Sequence, residues 1–272
     1  MVLSSKKIIG TLVPLSALSS LHSKKEDQDT FETGMAFLDW LHRTGQTAWQ
    51  MLPLHQTQLE KDSAIKRVPS PYKGYGIGLD PKYLSSVNPK LEYRNSKQIQ
   101  KTNDINIKRF ENFDFEISKI ASNFEFRASD LEKFIHENKD WIYDYALFCA
   151  LTDHFGTDDW RRWETDLRDR EKAALNKFSK LFRREIDQHV LLQYQLHKEY
   201  EKLRDKAKKL NIKLIGDLPY YLSINSPLVW AHQNIFQLKR GGEMEFVSGL
   251  PDGPAAHFGR QVWGHPLYKW GG

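Results

Sequence analysis

Asp217 is the residue in this chain most clearly placed to do chemistry. The short segment Lys213, Leu214, Ile215 has a buried-strand pattern, and Gly216-Asp217 follows it directly. In α/β folds the carboxyl ends of strands are where ligand-binding side chains gather, and a carboxylate there can accept hydrogen bonds or move a proton. The competing role for a strand-end aspartate is to cap the next helix or to pair with a buried base. An aromatic-rich loop, Tyr220-Tyr221 onward to Trp230, continues the segment. Such rings either stack on ligand rings or fill a core, and the core is the default for most of the eight Trp, eleven Tyr and fifteen Phe.

Two other chemistries are excluded by spacing. His232, His257 and His265 fall in the same tail, but no HxH or HxxxH pattern sets two of them side by side, so a shared metal is not expected and no cofactor is called for. The run Tyr72-Lys73-Gly74-Tyr75-Gly76-Ile77-Gly78 has glycines at alternate positions, without the spacing of either phosphate-binding loop, and reads as turns. The single cysteine, Cys149, lies in the apolar run Tyr145 to Leu151, which precludes an intrachain disulfide and fits a reducing compartment. The net charge of +5 is dispersed: Lys206 to Lys209 and Arg161-Arg162 lie among acidic residues on helical stretches, as solvated faces do, so nucleic acid is not the expected partner. Lys6-Lys7 followed by IIGTLVPLSALSSL has the order of a weak secretory signal, yet it reads equally well as a first buried strand and its loop. No apolar stretch approaches the roughly 20 residues that span a bilayer. The expectation is a cytoplasmic protein that uses no membrane.

The elements that must position Asp217 form an α/β pattern. A strand over about 7–13 leads to a helix with Phe31, Met35, Phe37, Leu38 and Leu41 on one side, ending near Gly45, and a second strand follows at 47–52. That order predicts parallel strands. Residues 56–89, rich in Pro, Gly, Ser and Tyr, read as mostly loop. From about 103 to 211 the pattern is helical, including one long amphipathic run from Lys172 to Leu210, and so much helix before the third strand implies an inserted subdomain.

Segments matching one family occur in order along nearly the whole chain. Thr47-Ala48-Trp49-Gln50-Met51-Leu52-Pro53-Leu54 and Ser70-Pro71-Tyr72 come first, followed by Asp144 to Phe148 with His154-Phe155-Gly156. Gly216 to Pro219, Val229-Trp230-Ala231-His232 and Gln261-Val262-Trp263-Gly264-His265-Pro266-Leu267-Tyr268 complete the set. Together they resemble the N-terminal part of the 4-α-glucanotransferases, or amylomaltases. The resemblance implies the first strands of a partial (β/α)8 TIM barrel with a helical insertion subdomain: residues 1–102 and 212–272 belonging to the barrel, 103–211 to the insertion. It implies a maltooligosaccharide or α-1,4-glucan as partner, and retaining transfer of glucan segments by two carboxylates about 5 to 5.5 Å apart. Carried onto this chain, Tyr72 would border a glucose ring, with Ser70 in the same loop. Asp217 would hydrogen-bond a sugar hydroxyl beside the scissile bond, Gln261 and Trp263 would line the cleft, and Asp252 would be a further sugar contact. Aromatic rings suit the apolar C–H faces of pyranoses.

The chain also departs from the family. Lys73 stands where Gln is usual and His265 where Asn is frequent, and the segment Gly249 to Phe258 differs from the usual lid and is one residue longer before Trp263. No segment matches the Arg-Ile-Asp-His nucleophile motif or the later acid, so no catalytic residue is assigned and the 272 residues alone are expected to be inactive in transfer. The rival expectation is a non-catalytic glucan-binding or interaction protein derived from the enzyme. With only three strands, Ile8, Met51, Leu214 and Ile215 are expected to lack packing layers.

Overall fold

The computed structural model of the chain describes residues 8–18, 30–61, 63–84, 128–253 and 259–270. Three short strands, β1 (Gly10–Leu12), β2 (Ala48–Gln50) and β5 (Lys213–Ile215), form a parallel sheet in the order β1-β2-β5. Gly10 pairs with Ala48, and Ala48 with Lys213, so the central strand is the one bordered on both sides. Its Trp49 is fully buried, donates its indole N–H to the Val13 carbonyl at 2.8 Å and meets Phe37 edge-on at 5.0 Å.

Helix α1 (Phe31–Arg43) covers this sheet. Thr30 caps its first turn, accepting from the Thr33 N–H, and Phe31, Leu38 and Leu41 recur at helical spacing on the buried side. Gly45, at φ +74, turns the chain out of the helix and into β2. Met51, expected to be left without a packing layer, is buried in the same core. The correction has a simple cause: α1 and a long helix from the other half of the chain supply the layer that was expected from later strands. Leu214 is half-buried, whereas Ile8 and Ile215 are exposed at the sheet edges.

A second core is helical. Helices α2 (Ala128–Glu137), α3 (Ile142–Phe155), α4 (Thr165–Arg168), α5 (Lys172–Leu181) and α6 (Arg183–Lys209) follow one another. In α3 every residue from Tyr145 to Thr152 is buried, so this stretch is enclosed all round and sits in the centre of the cluster. The run 172–210 is two helices, because the backbone breaks at Phe182 (φ −104, ψ 27). Helix α6, 27 residues and so about 40 Å long, belongs to both cores. Ile186, Val190 and Tyr194 enter the helical one, and Leu196, Leu203 and Ala207 enter the sheet one.

The segment expected to be mostly loop contains an antiparallel hairpin, β3 (His55–Thr57) and β4 (Gly74–Leu79), continued by the Leu59–Arg67 bridge. The alternating glycines are what let β4 lie there. At Gly78, φ is +73 and a Cβ would stand 2.6 Å from the Tyr145 ring, while at Gly74 it would collide with His55. Gly78→Ala is therefore expected to cost about 2 kcal/mol through backbone strain and crowding. Urea unfolding checks this, with an unchanged midpoint as the contrary outcome.

After β5 come a short helix, α7 (Pro227–Ala231), and a second hairpin, β6 (Val247–Leu250) with β7 (Gln261–Pro266). Among the described residues no helix is long and apolar enough to cross a membrane.

Candidate functional site

The β3–β4 hairpin presents Tyr72 on a tight turn. The Lys73 N–H bonds the Ser70 carbonyl at 3.1 Å, and the Gln58 N–H bonds the Lys73 carbonyl at 2.9 Å. His55 supports the turn from below: its Nε2 lies 2.7 Å from the Pro71 carbonyl, which only accepts, so Nε2 carries the proton. Burial pushes the His55 pKa below its usual value, which keeps the ring neutral. Ser70 thus serves the turn through its backbone, and Tyr72 is left 45% exposed at the tip.

The Tyr72 hydroxyl donates to Asp217 Oδ2 at 2.7 Å, across 145 residues of sequence. That hydrogen bond is also the first cause of the rise in the Tyr72 phenol pKa. Asp217 is two residues beyond β5, at the carboxyl end of the parallel sheet, and is half-buried. It does not cap the next helix. Ser226 does that, accepting from the Val229 N–H at 3.2 Å, with Pro227 opening α7.

A second group lies on β7 and the loop after Asp217. The Trp263 indole N–H donates to Gln261 Oε1 at 3.0 Å, and its ring is 6.1 Å from that of Tyr221. Tyr221 lies nearly parallel to the His265 ring, at 7° and 5.9 Å. His265 donates from Nδ1 to the Leu222 carbonyl at 3.1 Å, and burial lowers its pKa, with the positive charge of Lys73 acting in the same direction. Lys73 is the neighbour of Tyr72, so the turn and β7 approach from two sides. Tyr72 and Asp217 meet directly, whereas Gln261 and Trp263 belong to the group built on Tyr221 and His265, on the loop after Asp217 and on β7. Asp252 is exposed in the turn after β6, and no contact among the described residues ties it to the group. The lid segment 254–258 lies outside the described residues.

Sequence reasoning missed Tyr221, whose signal was its position four residues after Asp217 in the same loop. It also left Trp230 open. That ring is fully buried, donates to the Leu167 carbonyl at 3.0 Å and packs on Phe148 and Trp163, so the Val-Trp-Ala-His segment anchors α7 instead of facing a ligand. Among the described residues no three His, Cys, Asp or Glu are grouped to hold a metal. Burial pushes the Cys149 thiol up to about 12, which removes it as a nucleophile.

The geometry is that of a polar pair at the carboxyl end of a parallel sheet, with an aromatic group on the loop that follows and on β7. The family model described as 4-alpha-glucanotransferase matches residues 16–272. The 4-alpha-glucanotransferase of Aquifex aeolicus is 32% identical over 253 residues, covering 93% of this chain and 51% of its own length. That of Clostridium butyricum is 30% identical over 269 residues, 93% of this chain and 53% of the relative. Among solved structures, an amylomaltase from Streptococcus agalactiae in complex with acarbose superposes with a TM-score of 0.75 at 27% identity, over 97% of this chain and 54% of that one. The chain thus spans about half the length of the relatives it matches. A family model matched from Ser16 onward includes both the turn that carries Tyr72 and the strand end that carries Asp217, and the chain belongs to the 4-alpha-glucanotransferase family.

Proposed function

We propose that this chain forms the sugar-holding side of a 4-α-glucanotransferase cleft, binding a maltooligosaccharide or α-1,4-glucan against Tyr72 and Asp217. The observation that carries the reading is the Tyr72–Asp217 hydrogen bond at the carboxyl end of a parallel sheet, with Tyr221 and Trp263 paired on the loop and strand that follow. In this reading the three parallel strands are the first of a (β/α)8 barrel, residues 1–102 and 212–272 are its parts, and 103–211 is an inserted helical subdomain. A cytoplasmic place of action goes with it, in keeping with the free, buried Cys149.

The chemistry assigned to these residues is binding and orientation. A sugar hydroxyl donates to Asp217, which is fixed by the phenol of Tyr72, while Tyr72 and Trp263 cover the C–H faces of adjoining rings. Retaining transfer further requires a nucleophilic carboxylate and a carboxylic acid flanking the bond. None of the six residues of the site is assigned to either role, and Ser70 and Asp252 contribute through the loops that border the cleft. Calorimetric titration with maltoheptaose tests the reading. Binding is expected for the chain as it stands, weakened roughly three- to tenfold in Trp263→Ala, the worth of one aromatic face. Absence of any heat of binding to maltoheptaose or acarbose would exclude a sugar site on these walls.

A further inference from the structure

The Tyr72 turn and the Asp217 strand end are remote in sequence, and one buried carboxylate reaches the supports of both. Asp158, 2% exposed between the end of α3 and the turn Trp160–Arg162, accepts three hydrogen bonds. The Leu59 N–H donates to Oδ2 at 2.6 Å and the Tyr75 hydroxyl to the same oxygen at 3.2 Å, both from the hairpin that presents Tyr72. The Asn225 side-chain amide donates to Oδ1 at 3.2 Å, from the loop that leaves Asp217 for α7. Arg67, within the same hairpin, donates to the Tyr75 hydroxyl at 3.3 Å, and its positive charge favours the ionised form of the carboxylate. Burial pushes the Asp158 pKa up to about 6, against the lowering effect of these donors, so it is ionised at neutral pH and accepts from all three.

Two details separate this arrangement from ordinary core filling. Asn225 turns its amide nitrogen to Asp158 and leaves its own Oδ1 buried with no hydrogen-bond partner among the described residues, an arrangement that costs stability. The two walls also touch directly where the Ser223 N–H bonds the Gly74 carbonyl at 3.2 Å, which places the Asp158 contacts beside the seam between them.

We propose that Asp158, acting through Leu59 and Tyr75 on one wall and Asn225 on the other, is the positioning residue that sets the Tyr72 hydroxyl against Asp217. The inference deepens the glucan-site reading and rests on it only for its consequence on binding. The test therefore has a readout without sugar. The hydrogen bond to Asp217 holds the Tyr72 phenol pKa above its usual value, so NMR titration of Cζ-labelled tyrosine reports the geometry directly, with Asp217→Asn identifying the signal. In Asp158→Asn and in Asn225→Ala the Tyr72 titration is expected to move toward its ordinary value, and the Kd for acarbose to rise about tenfold. Asp144→Asn, which removes the partner of Arg170 elsewhere in the helical core, is expected to change neither. Should Asp158→Asn fail to fold, Asn225→Ala decides alone. A Tyr72 titration unaltered in the folded variants overturns the positioning role. Failure of the wild-type chain to bind acarbose overturns the sugar reading while leaving the titration result to stand.

Discussion

Asp217→Ala is expected to weaken maltoheptaose binding roughly 10- to 100-fold, because a hydrogen bond to a charged acceptor is worth about 1.5 to 3 kcal/mol. Tyr72→Phe is expected to cost less, since it removes the group that orients the carboxylate and keeps the ring that covers the sugar. The melting temperature should hardly change in either variant. Asp217 is only half-buried and its partner is an exposed phenol, so neither substitution leaves a cavity or a desolvated orphan. That separation of affinity from stability is the useful outcome. An unaltered Kd for Asp217→Ala in a chain that binds would move the sugar elsewhere on the surface.

The largest stability effect is expected at Trp230. Its ring is fully buried against Phe148 and Trp163, the Arg170 guanidinium lies 4.3 Å from its centroid, and its indole N–H satisfies the Leu167 carbonyl. Removing a buried Trp costs about 3 to 5 kcal/mol through lost burial and the cavity left behind. The orphaned carbonyl and the uncovered guanidinium add to that. Trp230→Ala is thus expected to lower the melting temperature by roughly 10 °C or to prevent folding, the conversion being about 2 to 4 °C per kcal/mol for a chain of this size. Trp230→Phe should restore most of the packing but not the hydrogen bond. A melt unmoved by the alanine substitution would contradict the anchoring role given to this segment.

Different parts of the molecule were legible in the sequence to different degrees. The strands around residues 10, 48 and 213, the helix from Phe31 and the placing of Asp217 at a strand end all came from local pattern, because apolar periodicity and chain order act within a few residues of one another. The break at Phe182 did not, since the residues around it are good helix formers and nothing local marks the change of direction. The β3–β4 hairpin was misread for a related reason. Alternating glycines suggest turns when read alone, and become a strand only where Tyr145, Leu222 and His55 fill the space their side chains would need. Met51 was misjudged because its covering layer comes from α1 and from α6, a helix more than a hundred residues further along.

What the sequence determined by itself is the set of chemical groups and the short elements that carry them: a carboxylate after a strand, a tyrosine on a proline turn, a tryptophan and glutamine near the end. What only the tertiary structure decided is which of these meet. Tyr72 and Asp217 are 145 residues apart yet share a hydrogen bond, and Trp230 faces inward while Trp263 faces out. The physical reason is that local propensity sets backbone shape over a turn or a strand. The side-chain pairings of a site depend on long-range packing and on buried hydrogen bonds such as those of Asp158, and those energies exist only once the remote segments are in contact.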